Sequence, residues 1–500
     1  MITNILEYLE ATVVAVPDKI AFSDGTDSLT HRQLYDAARS GGSRLISLGC
    51  GREPVMVIMD KHPCEVAAFL SVIYAGGFYV PVDAEMPPLR MQSIAGTTRP
   101  RFVICDDKNI ENARRIPNAR VITYEELVNY KADDVALGDV RRDQLDTDPI
   151  YIVFTSGSTG VPKGVLACHR SVIDYTENLS EALHFGRDNV FGNQTPLYFD
   201  APLKEIMPTL KFGATTYFIP RRLFMFPLKL VEYLNEHRIN TVCWVVSALT
   251  MISSLGALDK VRPEYLKTVA FGSEVFPKKQ YNIWRHALPE AVFYNLYGPT
   301  EATGMSCWWR ADRELDDEEP IPVGHPFRNT RIYLIDDNGH QAAPGETGEI
   351  YIGGTCVTMG YYDNPDKTGQ AFVQNPLVTA YRDIVYKTGD MGRYNEYGEL
   401  VFVSRRDYQI KHMGHRIELG EIEAAADRFD GVARSCCLYD NQKRRIRLFY
   451  VGDAAVSELT SYLKGYLPRY MLPAEVTRLE SLPLTPNGKL DRRALEAQHE

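Results

Sequence analysis

A strand-like run, Tyr151-Ile-Val-Phe154, leads into Thr155-Ser-Gly-Ser-Thr-Gly-Val-Pro-Lys163-Gly164. Gly157 and Gly160 let backbone N–H groups approach an anion closely, Thr155, Ser156, Ser158 and Thr159 add hydroxyl donors, and Lys163 adds positive charge. The loop is suited to phosphate. It is not a Walker A loop, because Lys163 follows Pro162 and precedes Gly164, where that motif needs Gly-Lys-Ser/Thr opening a helix. Asn295-Leu-Tyr-Gly-Pro-Thr-Glu301 sets an aromatic face, a hydroxyl and a carboxylate within one turn. Tyr297 is able to stack on a base, and Glu301 to hold Mg2+, which binds through one or two carboxylates plus phosphates. Asp390, after Gly389, is placed to accept two hydroxyl hydrogen bonds, as a ribose diol offers. Lys489 stands in a loop bracketed by Pro486 and Gly488. Taken singly, these last three features read equally well as turn chemistry or a solvated lysine.

Such residues need a frame that delivers strand ends to loops. Short β-rich runs at 54–60, 101–107, 149–154, 214–220, 240–246 and 267–272 alternate with amphipathic stretches such as 62–77 and 227–238. That alternation predicts βαβ units, largely parallel sheets and an α/β fold class. After about residue 320 the pattern becomes a hairpin-rich β subdomain, with turns at Asn338-Gly339 and Pro344-Gly345. Beyond Asp407 the chain reads as a small α+β module, with helices over 419–429 and 457–467 and strands at 435–440 and 445–451. The expected division is a large core over 1–404 and a small mobile domain over 405–500, hinged near Asp407. A chain of 500 residues exceeds the roughly 250–300 at which single cores stop growing.

Composition narrows the function. With 65 acidic against 55 basic side chains the net charge is −10, which argues against a nucleic-acid-binding protein resting on basic surface. The nine cysteines form no C-x-x-C pair or zinc spacing, so they read as reduced cytosolic thiols, mostly core filler. The amino terminus has no basic n-region, and no stretch reaches the roughly 18 apolar residues of a membrane span. No membrane insertion and a cytoplasmic location are expected.

Together the four motifs resemble the ANL superfamily of adenylate-forming enzymes. Within it they are most similar to amino-acid adenylation domains of nonribosomal peptide synthetases and to freestanding D-alanine–carrier protein ligases. The resemblance runs along the whole chain, through Leu29-Thr-His-Arg-Gln-Leu34, Gly348-Glu-Ile-Tyr-Ile-Gly-Gly354 and Gly414-His-Arg-Ile-Glu-Leu-Gly-Glu-Ile-Glu423 in family order. It implies that residues 155–164 wrap the ATP phosphates and that Asn295, Tyr297 and Gly298 help hold the nucleotide, Tyr297 packing on adenine. It further implies that Thr300 reaches phosphate, Glu301 binds Mg2+, Asp390 binds the ribose hydroxyls and Arg405 lies near the nucleotide. Lys489 is implied to bridge the substrate carboxylate and the α-phosphate, and Asp407 to be the hinge. Ser404 stands where the family has glycine.

The resemblance also locates an acid-binding pocket. In amino-acid-activating members the aspartate of Phe199-Asp200 binds the substrate ammonium; the plainer reading is an aspartate capping the following helix. Further lining is implied from Ala201, Lys204, Trp244, Val269, Phe271, Leu296, Gly304 and Met305, with Lys489 closing the pocket. Trp244, Phe271 and Met305 favour a small or medium side chain, and Lys204 is expected to point outward. Gly272 departs from the D-alanine ligases, which tend to carry cysteine there. The implied function is ATP- and Mg2+-dependent formation of an aminoacyl-AMP and transfer to the phosphopantetheine of a carrier protein. The alternative is an acyl-CoA synthetase acting on a small carboxylic acid. No phosphopantetheine-attachment segment is visible within the 500 residues, so the carrier is expected outside them.

Overall fold

The computed structural model describes residues 2–157, 161–316, 319–406, 408–483 and 490–499. Its contacts form two compact units. The first is Met1–Ala84, Arg99–Val153 and Val165–Arg406, and the second is Glu85–Thr98, Phe154–Gly164 and Asp407–Glu500. The second unit therefore gathers two upstream stretches as well as the carboxy-terminal one.

Among the described residues, one sheet runs in the order Arg120–Thr123, Phe102–Cys105, Pro54–Met59, Phe78–Asp83, Pro149–Thr155, Lys163–Cys168. Its pairings from Arg120–Thr123 to Pro149–Thr155 are parallel. A larger sheet runs His325–Pro326, Cys307–Arg310, Val292–Tyr297, Thr268–Gly272, Thr241–Val245, Val190–Asn193, Thr215–Phe218, Ile20–Ser23, Ser28–Thr30. Its strands from Val292–Tyr297 to Ile20–Ser23 are parallel. Parallel strands covered on both faces must be apolar throughout, and Pro54–Met59 and Thr241–Val245 are buried at every position.

Local chemistry sets the helix starts. The Thr30 hydroxyl accepts the Gln33 N–H while Gln33 accepts the Thr30 N–H, a capping box that opens the helix His31–Ser47. The helix Pro63–Tyr74 begins with proline at its first position and with the His62 ring accepting the Cys64 N–H. Farther along, Thr330–Ile335, Gly348–Gly354, Ile384–Tyr394 and Leu400–Arg405 form successive antiparallel pairs. The Asp336 carboxylate accepts the N–H groups of Asn338 and His340, which closes the expected Asn338-Gly339 turn.

In the second unit, Val432–Asp440 pairs antiparallel with Arg445–Gly452, which pairs in parallel with Glu475–Leu479. The hairpin Gln409–His412 and His415–Glu418 precedes the helix Leu419–Ala426. Ile417, Ile422, Leu448, Tyr450, Leu459 and Leu463 form this unit's core. The helix Pro88–Thr98 belongs to this unit and packs against the helix Val456–Tyr466. All nine cysteines are unpaired. Among the described residues, no helix is long and apolar enough to cross a membrane.

Candidate active site

In the first unit, neighbouring parallel strands Thr241–Val245, Thr268–Gly272 and Val292–Tyr297 deliver their carboxyl ends to one small pocket. Ligands of open α/β sheets bind at such strand ends. Lys204, Trp244, Phe271, Leu296 and Met305 line it, together with Gly272 and with Cys243, Val245, Ala270 and Ser273, which carry no sequence signal for a pocket. Trp244 is fixed by its indole N–H, which donates to the Gly192 carbonyl at 2.6 Å. Asp200, Ala201, Val269 and Gly304 are not among the lining residues; Val269 is buried in the core. Gly272 admits no side chain, since a Cβ there would lie 2.4 Å from the Leu296 carbonyl oxygen.

Asp200 precedes the helix Leu203–Phe212 but does not cap it with its side chain; its backbone carbonyl accepts the Leu203 N–H. The carboxylate is hydrogen-bonded to Thr300. Gly304, at φ +91, passes so close that a Cβ there would stand 3.3 Å from Asp200 Oδ2. Burial pushes the Asp200 carboxyl above its ordinary range; the Thr300 hydrogen bond and the Lys204 ammonium pull it down, and Glu301 adds to the rise. The outward orientation expected for Lys204 is corrected: it is 5% exposed and lines the cavity. The reason is the helix itself, which is buried continuously from Leu203 to Leu210 and has no solvent face at that position.

A second group of residues lies in the same unit. The carboxylate of buried Asp390 accepts the Tyr297 hydroxyl on Oδ2 at 2.6 Å and is paired with Arg405 Nη1 on Oδ1 at 2.6 Å. Asp390 and Arg405 are directly opposed in the antiparallel register, and Arg405 also donates to the Thr388 carbonyl. Tyr297 is itself buried, and burial with the adjacent Asp390 charge holds its phenol protonated far above the usual range. Asn295 donates to the Pro322 carbonyl at 2.7 Å, anchoring the strand that carries Tyr297. Glu301 is wholly buried, and Tyr361 donates its hydroxyl to Glu301 Oε1 at 2.8 Å. Sequence reasoning missed Tyr361, which lies 60 residues from Glu301 with no local signal.

The 155–164 loop falls in the second unit. Ser156 donates to the Arg416 carbonyl at 2.8 Å, the Gly157 N–H donates to Glu421 at 3.0 Å, and Lys163 lies 3.9 Å from Glu418. Thr155 makes a long contact, 3.5 Å, to the Lys163 carbonyl. Ser158, Thr159, Gly160, Asp407 and Lys489 lie outside the described residues.

A protein-family model described as AMP-binding enzyme matches residues 9–362. The chain belongs to that family. This AMP-binding enzyme is 31% identical over 507 residues to an L-proline–[L-prolyl-carrier protein] ligase of Streptomyces coelicolor, covering 94% of this chain and 92% of the relative. It is 29% identical over 504 residues to tyrocidine synthase 2 of Brevibacillus parabrevis, covering 98% of this chain and 13% of that synthase. The crystal structure of IdnL1 matches with a TM-score of 0.83 at 26% identity, covering 97% of this chain and 99% of that one. Holo-PA1221, a nonribosomal peptide synthetase protein containing adenylation and PCP domains, matches with a TM-score of 0.85 at 24% identity, covering 99% of this chain and 84% of that one. The AMP-binding enzyme shares its fold with both.

Proposed function

We propose that the chain activates an amino acid with ATP to aminoacyl-AMP, releases pyrophosphate, and loads the aminoacyl group onto the phosphopantetheine thiol of a carrier protein in the cytoplasm. The observation that carries this reading is Asp200, a carboxylate raised by burial and neighboured by Lys204, which lines a small pocket with Trp244, Phe271, Leu296 and Met305. Such a group favours a ligand bearing a cation and a compact apolar side chain. Supporting the acceptor, the relative from Streptomyces coelicolor bears the name of a carrier-protein ligase.

In this reading a substrate carboxylate oxygen attacks the α-phosphorus of ATP, the bond to the β-phosphate oxygen breaks, and pyrophosphate departs. Both reactants are anions, so positioning and charge neutralisation carry the rate and no general base is needed. Lys489 bridges the two anions, and the 155–164 loop with Lys163 holds the departing phosphates. Asp390 accepts ribose hydroxyls with the lone pairs that remain after its contacts with Tyr297 and Arg405. Thr300 both orients Asp200 and reaches phosphate. Glu301, a buried carboxylate oriented by Tyr361, suits Mg2+, which when bound neutralises phosphate charge. In the second half-reaction the thiolate sulfur attacks the acyl carbon and AMP leaves.

One observation favours the acyl-CoA alternative: Lys204 already gives Asp200 a resident cation. The deciding experiment is amino-acid-dependent pyrophosphate exchange over all L- and D-amino acids and their des-amino analogues, followed by transfer to holo-carrier protein or to CoA. Exchange with one or a few amino acids and a carrier-bound thioester is expected. Exchange confined to acids lacking an amino group, with CoA as acceptor, would replace this reading by the alternative.

A further inference from the structure

Lys204 is the charged group of the pocket to which the proposed reaction gives no task. It lies on the helix Leu203–Phe212, is 5% exposed, and lines the pocket among Trp244, Phe271, Leu296 and Met305. Among the described residues its ammonium makes no hydrogen bond and no contact ion pair. It acts on Asp200 and Glu205 from beyond contact distance. Glu205, its neighbour in the chain, is taken up elsewhere: its Oε2 accepts Asn193 Nδ2 at 3.2 Å, and successive residues of a helix do not face each other. Nor do the neighbouring side chains offer an acceptor for this cation. The Trp244 N–H is spent on the Gly192 carbonyl at 2.6 Å, and burial keeps the Cys243 thiol protonated, well above its ordinary range. An ammonium enclosed in this way is costly unless a ligand brings the acceptor.

We infer that Lys204 receives a carboxylate on the substrate's side chain, so that the acid this chain activates is a dicarboxylic amino acid of the aspartate or glutamate kind. The inference rests on the proposed function in giving the substrate ammonium to Asp200. It refines the side chain of that reading: the methylenes lie against the apolar walls, and the terminal carboxylate meets Lys204. Substrate and pocket then match charge for charge, ammonium to Asp200 and carboxylate to Lys204. A neutral side chain of the same length leaves Lys204 without a charged partner, and a cationic one adds a like charge beside it. The choice is sharp for a physical reason. A site built to bond a polar substrate group rejects the analogue lacking it far more strongly than an apolar wall rejects one methylene.

The test is pyrophosphate exchange by the full chain with both enantiomers of aspartate and glutamate, their amides asparagine and glutamine, and alanine and leucine. One dicarboxylic amino acid is expected to exceed its own amide by roughly 10²-fold or more in kcat/KM. Lys204→Met, similar in length but uncharged, should bring that ratio close to one, and Lys204→Arg should preserve most of it. The wild-type choice between acid and amide needs no variant, so a Lys204→Met that loses its cooperative melting transition leaves the test intact. A wild type that prefers an amide or an apolar amino acid overturns the inference. So does a folded Lys204→Met in which acid and amide lose activity by the same factor, the mark of a structural role. Succinate and glutarate carry both carboxylates without the ammonium. Exchange with either of them in place of the amino acids, and lost in Lys204→Met, would overturn the amino-acid reading and leave the role of Lys204 standing. No exchange with any of these acids overturns both.

Discussion

At Asp200 burial raises the carboxyl while Thr300 and Lys204 pull against that rise, and in the proposed reading a substrate ammonium adds a further cation beside it. Asp200→Ala should therefore cost roughly 2–5 kcal/mol in kcat/KM for the amino acid, as truncating one partner of a desolvated pair does. KM for ATP should barely move, and discrimination against the des-amino analogue should shrink. Steady-state kinetics with the amino acid, its des-amino analogue and ATP measure all three. A wild-type KM for the amino acid would remove both the role of Asp200 and the reason for preferring an amino acid. Lys489→Ala should slow adenylate formation by ~10²–10³, the usual effect of losing one preorganised donor. Transfer from preformed adenylate to the carrier should change far less, and rapid-quench comparison of the two half-reactions separates them.

Among the elements, the pairing of Thr268–Gly272 with Val292–Tyr297 is the one that shapes the cavity. Gly272 lies opposite Leu296, and any Cβ must push that carbonyl away. Gly272→Cys, the residue favoured in the D-alanine ligases this chain resembles, should cost about 1–3 kcal/mol through overpacking and should weaken amino-acid binding. Denaturant unfolding together with KM tests both effects; a variant of wild-type stability would mean the strands part without strain. Thr30 acts on the helix His31–Ser47 alone. Thr30→Ala removes the hydroxyl half of its capping box and should cost about 1 kcal/mol, with kinetics unchanged.

For the molecule as a whole, one pH signature comes from Glu205, which is 1% exposed. Burial pushes its carboxyl from 4.5 up to about 7, against the opposing influence of Lys204, Asn193 and Lys61. Asn193 donates to its Oε2 at 3.2 Å, whereas Oε1 has no hydrogen-bond partner and is suited to carry a proton. Between pH 4.5 and about 7 the folded chain holds a proton that the unfolded chain has released. Glu205 by itself then lowers stability as pH rises through that window, by up to about 1.4 kcal/mol per pH unit, while His31 and His169, which burial lowers from 6.5 to about 4, act in the opposite sense up to pH 6.5. Lys61, whose ammonium burial lowers from 10.5 to about 7, adds the opposite slope above pH 7. Glu205→Gln should make the slope of stability against pH between 4.5 and 7 more positive than in wild type, by up to about 1.4 kcal/mol per pH unit, in a series of urea titrations; an unchanged slope would assign the proton elsewhere.

Strands and helices were legible in the sequence because they depend on local periodicity. The apolar runs 54–60, 240–246 and 267–272 correspond to Pro54–Met59, Thr241–Val245 and Thr268–Gly272, and Pro63–Tyr74 fills the helical stretch between its proline start and the Gly76-Gly77 stop. The family was legible too, since ordered motifs survive in one dimension. Contacts made across the chain were not. Tyr361 reaches Glu301 over 60 residues, and Arg405 meets Asp390 only through strand register. Lys204 turns inward because its helix is enclosed on every side. The stretch Glu85–Thr98 joins the carboxy-terminal residues because Arg90 is buried with Glu421, 331 positions away. Periodicity and motif order thus determined the elements and the family, while burial and register, which exist only once distant segments meet, decided which charges face each other.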